Sequence, residues 1–174
     1  MSAAFHCGLV AVVGRPNVGK STLVNAMVGH KVSIVAPKPQ TTRHRITGVA
    51  TSDCGQIVFV DTPGLHDAGG FAINRQLNRA ARSALSDAQA VLVLNKVDRI
   101  TDKASLLPRL AENAARHAFA ALVPLSATRS KGLADLERTL LGLLPEGPPV
   151  FGPDDVTDRS ERFVLTELIR EQLV

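Results

Sequence analysis

The sequence contains no tryptophan and no tyrosine, and it has only six phenylalanines among 174 residues. Proteins that bind single-stranded nucleic acid usually stack bases on aromatic rings, so a base-stacking platform is not expected here. The two cysteines, Cys7 and Cys54, have no metal-ligand spacing, which argues against a disulfide framework and favours a reducing cytosol. No apolar run approaches the ~20 residues of a membrane span, and no basic segment precedes the first apolar run. We therefore expect neither a transmembrane segment nor a signal peptide.

Apolar residues make up 45% of the chain and charged residues 21%, which is typical of a globular protein with a buried core. The formal charge of +4 mildly favours an anionic partner such as a nucleotide, RNA or an acidic membrane surface.

Short apolar strands alternate with amphipathic helices along the chain. We predict strands at residues 7–13, 46–51, 56–60, 91–94 and 121–125, and helices at residues 20–28, 73–85, 103–119, 132–144 and 159–174. A segment rich in proline and glycine, residues 145–153, is typical of a linker. Strands that alternate with helices predict an α/β fold with a parallel sheet covered on both faces.

The segment GRPNVGKS, from Gly14 to Ser21, matches the phosphate-binding pattern G-x-x-x-x-G-K-[ST]. Its glycines let backbone N–H groups surround phosphate oxygens, and the following helix adds the positive end of its dipole. Lys20 would neutralise the β- and γ-phosphates, and Ser21 would offer its hydroxyl to Mg²⁺. The predicted strand before this loop and the predicted helix after it favour a P-loop over an ordinary glycine turn.

Two further motifs follow strands. In DTPG, Asp61 can hold Mg²⁺ through water, and the N–H of Gly64 can sense a γ-phosphate. In NKVD, the Asp98 carboxylate can accept hydrogen bonds from N1–H and the 2-amino group of guanine, donors that adenine lacks there. Asn95 would brace this pocket and the stem of Lys96 would cover the ring. Ser126 and Ala127, at the end of the last strand, could offer a backbone N–H to guanine O6.

In this order, the motifs resemble those of TRAFAC-class GTPases. The loop QTTRHR at residues 40–45 and the segment TDRSERF at residues 157–163 are similar to the Era family of bacterial ribosome-assembly GTPases, and the resemblance covers residues 7–174. It implies a three-layer P-loop NTPase G domain with a mostly parallel sheet at residues 1–144 and a linker at residues 145–157. Residues 158–174 would form the first helix of a truncated KH-type RNA-binding domain.

The resemblance also implies roles for residues. Thr42, with Thr41 as second choice, would bind Mg²⁺ and sense the γ-phosphate from the first switch, and DTPG would open the second switch. The implied catalytic residues are Lys20, Thr42, Gly64 and Asn17, and the implied Mg²⁺ ligands are Ser21, Thr42 and Asp61. The implied nucleotide-binding residues are Gly14, Arg15, Pro16, Asn17, Val18, Gly19, Lys20, Ser21, Asp61, Thr62, Pro63, Gly64, Leu65, Asn95, Lys96, Asp98, Ser126 and Ala127.

Position 65 bears on the rate of hydrolysis. Many small GTPases carry a glutamine directly after D-x-x-G to orient water, whereas Leu65 cannot bind water, so we expect slow intrinsic hydrolysis. Asn17 resembles the asparagine with which related GTPases hold K⁺ near the phosphates. Our hypothesis is that K⁺ at Asn17 stimulates hydrolysis, and equal rates in K⁺ and Na⁺ would rule it out. The alternative is that Asn17 bonds only within its loop.

The chain departs from the family in two places. Asn95 follows Asp61 by only 34 positions, so an internal segment of ~30 residues is missing, judged by what a strand-helix-strand unit requires. The sheet would then lack one central strand and one helix. Either the NKVD strand moves inward or the sheet is interrupted, and we expect weak nucleotide binding. No GxxG loop follows Pro153, so we also expect exposed apolar residues on the last helix, at Val164, Leu165, Leu168 and Ile169.

The function implied by the resemblance is a GTP-hydrolysing switch that acts in 16S rRNA processing and biogenesis of the small (30S) ribosomal subunit. Its cofactors would be GTP or GDP, Mg²⁺ and K⁺. Its partners would be 16S rRNA and the small subunit, contacted mainly through the missing KH domain. The expected location is the cytoplasm, with peripheral contact at the inner membrane. The alternatives are a guanine-nucleotide binder or inert fragment without hydrolytic activity, and a different TRAFAC GTPase.

Overall fold

The computed structural model describes residues 4–14, 17–33, 46–61, 91–115 and 118–172, with only the backbone described at positions 46, 61, 92 and 103. The chain divides into two compact units. The first consists of Met1–Gly70 and Leu140–Val174, and the second of Phe71–Thr139. The predicted helix at residues 73–85 lies outside the described residues.

The first unit contains a three-stranded sheet in the order β1-β3-β2. Its strands are β1 (His6–Val12), β2 (Ile46–Ser52) and β3 (Gly55–Asp61). Strands β2 and β3 pair antiparallel around a two-residue turn, whereas β1 and β3 pair in parallel. The parallel register places Val12 opposite Asp61. The P-loop and the DTPG motif therefore begin at the same edge of this sheet.

Helix α1 (Lys20–Val28) follows the P-loop and lies on β2. Two of its valines approach the sheet at Gly48, where a Cβ atom would lie 2.9 Å from Val24 Cγ1 and 2.9 Å from Val28 Cγ2. Glycine at position 48 therefore lets the helix pack closely. The helix ends at Gly29, which adopts a left-handed conformation with φ 76° that glycine tolerates without strain.

The second unit contains two parallel strands, β4 (Val91–Leu94) and β5 (Ala121–Pro124), with helix α2 (Leu106–Ala114) between them in sequence. Helix α3 (Leu133–Leu143) follows β5, and the boundary between the units falls within it. Short 3₁₀ turns occupy Val97–Arg99, Lys103–Ser105 and Ala127–Arg129. Leu125 and Leu136 are buried, as expected for an apolar strand end and helix stripe.

The described strands and helices agree with the predicted ones within two residues at each end, with one exception. The helix predicted over residues 103–119 begins as a 3₁₀ turn, and its α-helical part ends at Ala114, because the chain must turn back to enter β5 in parallel with β4. Among the described strands, β4 pairs with β5 and β1 with β3, in two separate sheets.

Residues 144–157, here called the strap, cross the first sheet. The strap hydrogen-bonds first to β1, where the Cys7 N–H donates to Pro145 O at 3.0 Å. It continues past the buried Gln56 side chain on β3. It then reaches β2, where the Val49 N–H donates to Val156 O at 2.9 Å. The proline-rich segment that the sequence marks as a linker is therefore hydrogen-bonded to all three strands.

Helix α4 (Glu161–Gln172) follows the strap. Glu171 forms an ion pair with Lys31, with Oε2 and Nζ 2.7 Å apart. Leu165 and Ile169 are 59% and 64% exposed, which confirms the prediction for these two residues. For Val164 and Leu168 the prediction was wrong, since both are half-buried on an adjacent side of the helix. No helix in the described part of the chain is long and apolar enough to cross a membrane.

Candidate nucleotide-binding site

The P-loop leads from β1 into α1. Gly19, directly before the helix, has φ 97° and ψ 29°, a left-handed conformation that favours glycine. It carries no side chain to cap the first N–H groups of the helix. A helix start of this kind suits an anion, because the N–H groups and the helix dipole both favour negative charge.

Lys20 lies against the loop that it follows. Its Nζ donates a hydrogen bond to the Gly14 carbonyl at 3.0 Å. The Lys20 side chain therefore reaches back across the P-loop to the first residue of the loop. Asn17 has φ 59°, a left-handed conformation that asparagine adopts more readily than most residues. Both residues lie in the first unit, at positions that the sequence assigns to the phosphate-binding loop.

Two of the residues predicted to bind Mg²⁺, Ser21 and Asp61, lie on described elements of the first unit. Ser21 lies in the first turn of α1, and Asp61 ends β3 directly opposite the last residue of β1. Hydroxyl and carboxylate oxygens are the ligands that Mg²⁺ prefers, and this metal keeps several waters, so few protein ligands fit it. No group of three or more His, Cys, Asp and Glu residues that could hold a metal occurs in the described ranges. The roles of Ser21 and Asp61 as Mg²⁺ ligands therefore stay a prediction.

Asn95 connects the ends of the two strands of the second unit. Its Oδ1 accepts hydrogen bonds from the Lys96 N–H at 2.7 Å and from the Ala127 N–H at 3.1 Å. Lys96 has φ 63°, an uncommon left-handed conformation for a residue with a side chain. The turn after β4 and the turn after β5 are therefore held together. The sequence left the donor to guanine O6 open between the N–H groups of Ser126 and Ala127. Here the Ala127 N–H donates to Asn95 Oδ1, and the Ser126 N–H donates to Lys131 O at 3.0 Å.

Asp98 lies beside Ser126 and Arg129. The Ser126 hydroxyl donates to Asp98 Oδ1 at 2.6 Å, and Arg129 Nε lies 3.9 Å from Asp98 Oδ2. Only 17% of the aspartate side chain is exposed. The Ser126 hydrogen bond is the main reason that the pKa of Asp98 lies below its ordinary value, and the charges of Arg129 and Arg99 contribute. The group is thus an ionised hydrogen-bond acceptor, as recognition of guanine requires.

Two residues near these motifs were not predicted. Asn25 binds the backbone of Val32 and Ser33 through its side chain, and the only signal for it is a polar residue within an apolar helix. Arg129 approaches Asp98, and no feature of the sequence distinguishes it from other exposed arginines.

Some predicted site residues lie outside the described residues, namely Arg15, Pro16, Thr41, Thr42, Thr62, Pro63, Gly64 and Leu65. The structure brings Gly14, Asn17, Gly19 and Lys20 together in the first unit, and Asn95, Asp98, Ser126 and Ala127 together in the second. Their roles toward a nucleotide remain predictions.

Known proteins resemble this chain in sequence and in fold. The family model described as 50S ribosome-binding GTPase matches residues 9–123 of this chain. The GTPase Era of Stenotrophomonas maltophilia (strain R551-3) is 51% identical over 197 aligned positions, which cover 97% of this chain and 66% of that relative. The chain belongs to the Era family of GTPases.

Two solved Era structures agree with this fold. Era bound to MgGDPNP and to nucleotides 1506–1542 of 16S ribosomal RNA is 34% identical, with a TM-score of 0.85 over 97% of this chain and 67% of that one. A substituted Era of Aquifex aeolicus bound to GDP·AlF4⁻ is also 34% identical, with a TM-score of 0.84 over the same shares. The fold is therefore that of a P-loop GTPase G domain, as predicted.

The lengths of these alignments bear on the short interval after Asp61. The chain spans about two thirds of the length of the Era relatives that it matches. The alignment with the Stenotrophomonas protein is 197 positions long and includes 97% of the 174 residues of this chain, about 169. About 28 positions of the alignment therefore have no residue in this chain. This agrees with the predicted loss of an internal segment.

Proposed function

We propose that this chain binds GTP and hydrolyses it to GDP and phosphate as a Mg²⁺-dependent switch of the Era type. The P-loop residues would hold the phosphates, and Asp98 with Asn95 would hold the guanine base. The proposal is supported by the membership in the family and by the geometry of both sets of residues.

The chemistry would depend mainly on positioning and charge, as in other phosphoryl transfers. Lys20 would neutralise the β- and γ-phosphates, and the Gly64 N–H would bind the γ-phosphate. Ser21, Thr42 and Asp61 would hold Mg²⁺, which neutralises negative charge on the phosphate oxygens. Because Leu65 cannot orient the attacking water, we propose that Asn17 compensates by holding K⁺ near the phosphates.

The observation that carries the proposal is the environment of Asp98. A half-buried carboxylate, kept ionised and oriented by a 2.6 Å hydrogen bond from Ser126, presents acceptors to a base with paired N–H donors. Guanine offers N1–H and a 2-amino group, whereas adenine would leave these acceptors unpaired. Unpaired buried acceptors are strongly unfavourable, so this arrangement selects guanine.

The substitution Asp98→Asn tests this selection. Xanthine carries a carbonyl where guanine carries its 2-amino group, so the amide of asparagine complements xanthine. We expect the affinity for GDP to fall by about a hundredfold or more and the preference to shift to XDP, measured by calorimetry. The matched control is Asp102→Asn, which changes an exposed aspartate in the same unit and leaves the preference for GDP intact. An unchanged preference in Asp98→Asn would contradict the proposal.

A guanine-nucleotide binder without hydrolytic activity is the second candidate. It is favoured by the roughly 28 aligned positions of the Era relative that have no residue in this chain. Phosphate release from GTP with Mg²⁺ and K⁺ separates the two candidates, since only the GTPase shows turnover that Lys20→Ala abolishes. We also propose that this chain binds GDP more weakly than an uninterrupted relative, and equal affinity would refute that.

We further propose 16S rRNA and the small ribosomal subunit as partners. The support is the family and one solved relative, an Era bound to a 16S ribosomal RNA fragment. Roles in 16S rRNA processing and 30S biogenesis, a cytoplasmic location and peripheral contact with the inner membrane rest on the resemblance to the family.

A further inference from the structure

Strand β1 has one edge that is covered only in part. Its other edge pairs with β3 along the whole strand. On the first edge, the Cys7 N–H donates to Pro145 O at 3.0 Å, and the Gly147 N–H donates to Phe5 O at 2.9 Å. The strap therefore covers this edge at residues 5–7.

The same edge is open at Leu9 and Ala11. Backbone groups of successive residues in a strand point to opposite edges, so Leu9 and Ala11 direct their N–H and C=O groups to the same side as Cys7. Within the described part of the chain, these backbone groups have no hydrogen-bond partner. Leu9 is 69% exposed, and Ala11 is exposed as well. The open edge thus offers two donors and two acceptors in extended geometry beside an exposed apolar side chain.

The sequence does not give this edge the usual protection. Edge strands are commonly blunted by a charged side chain, a proline or a bulge. Residues 7–13, CGLVAVV, contain neither a charged residue nor a proline. The register with β3 runs without a bulge from His6 to Val12. Uncharged segments of high β-propensity are those that pair with strands of other chains, so this edge is suited to strand addition.

The opposite edge of the same sheet is covered by the strap. On β2, the Val49 N–H donates to Val156 O at 2.9 Å, and the Thr157 hydroxyl donates to Thr47 O at 2.7 Å. Because the β2 edge is covered, strand addition at β1 does not continue into a filament. Two copies of the sheet can instead join edge to edge as a closed pair.

We propose that the open edge of β1 is an interaction surface for a second copy of this chain, which adds its own β1 in antiparallel orientation. The edge is its own complement, because each copy offers the donors and the acceptors that the other lacks. Two-fold symmetry centred on Val10 places Leu9 of each copy opposite Ala11 of the other. Directly opposite residues of this kind exchange both backbone hydrogen bonds, so both pairs are fully bonded. The inference is independent of the proposed GTPase function.

The strap selects this register. A pairing centred on Leu9 would place Ala11 of one copy opposite Cys7 of the other, whose N–H is already bonded to Pro145 O. The pairing centred on Val10 uses both open residues of each copy and avoids the strap. It is short, so the dimer belongs with the small, weak interfaces, and we expect it to be populated at concentrations on the order of 0.1 mM.

Sedimentation velocity tests the association over concentrations from about 10 µM to about 500 µM. It is measured on the wild-type chain and on a variant with Leu165→Ser and Ile169→Ser, which removes the exposed apolar residues of α4. We expect a concentration-dependent dimer in both. A chain that stays monomeric throughout, or a dimer that the α4 substitutions alone abolish, overturns the proposal.

Amide hydrogen exchange followed by NMR locates the contact. The amides of Gly8 and Val10 point to β3, so they should exchange slowly at every concentration. The amides of Leu9 and Ala11 should exchange quickly in dilute solution and at least about threefold more slowly in concentrated solution. Unchanged exchange at Leu9 and Ala11 in a sample that does dimerise places the contact elsewhere and overturns the proposal.

Two variants of the edge test its chemistry. Ala11→Pro removes the outward N–H without breaking a hydrogen bond to β3, and Leu9→Lys places a charge on the edge. Each should lower the association constant at least about tenfold, whereas the control Ala11→Ser, which keeps the N–H, should stay within about twofold of wild type. Equal association in all three overturns the proposal. If a variant fails to fold by circular dichroism, the exchange of Leu9 and Ala11 in the wild-type chain decides.

Discussion

Replacing Gln56 with alanine removes the side chain that fastens the strap to the first sheet. Gln56 is fully buried on β3. Its Oε1 accepts hydrogen bonds from the Val150 and Phe151 N–H groups, both at 2.9 Å. Its Nε2 donates to Thr51 Oγ1 and to Phe151 O, both at 3.0 Å. The substitution therefore leaves these four polar groups without their partner, together with the Cys7 thiol, whose Sγ lies 3.9 Å from Oε1.

Each such hydrogen bond contributes about 1 kcal/mol net to stability. Val150 is exposed and Phe151 is half-buried, so water can reach part of the released backbone. We therefore expect the free energy of unfolding to fall by about 3 kcal/mol, a large share of the roughly 5–15 kcal/mol typical of a domain. Such a loss lowers Tm by about 6–12 °C in a chain of this size.

Urea unfolding followed by far-ultraviolet circular dichroism measures this change, because the chain has no tryptophan or tyrosine for fluorescence. Gln56→Met keeps most of the side-chain volume without hydrogen bonds, so it should be nearly as destabilising as alanine. The control Gln172→Ala, at an exposed position of α4, should change stability by less than about 0.5 kcal/mol. If Gln56→Ala matches that control, or Gln56→Met restores full stability, hydrogen bonding does not hold the strap.

Two further predictions concern Ser126 and the exposed face of α4. Because the fold lowers the pKa of Asp98, its ionised carboxylate stabilises the protein above the ordinary pKa, and this contribution is lost as pH falls through the folded-state pKa. Ser126→Ala removes the largest cause of the shift, so the carboxyl titration seen by NMR should move to higher pH, and an unmoved titration would refute the assigned cause. Because Leu165 and Ile169 are exposed apolar side chains on α4, we expect the wild-type chain to self-associate on concentration and Leu165→Ser with Ile169→Ser to reduce this in sedimentation velocity; a wild-type chain that stays monomeric would contradict the prediction.

The positions of the motifs could be predicted from the sequence because they depend on short-range patterns. A run of apolar residues followed by GRPNVGKS determines a strand, a loop and a helix within a few positions of one another. The same holds for Leu94 before Asn95 and for Pro124 before Ser126, where a strand end predicts the edge at which functional residues meet. Spacing alone also indicated the missing segment between Asp61 and Asn95.

Which side chains join distant elements by hydrogen bonds could be seen only in the tertiary structure. Gln56 bonds residues 94 and 95 positions away, and Ser126 reaches Asp98 across 28 positions, so no local pattern identifies either pair. The strap was predicted as a linker because proline and glycine dominate it, yet its backbone groups find partners on three strands. Long-range pairing of this kind depends on which elements become neighbours, and that is determined by the packing of the whole chain.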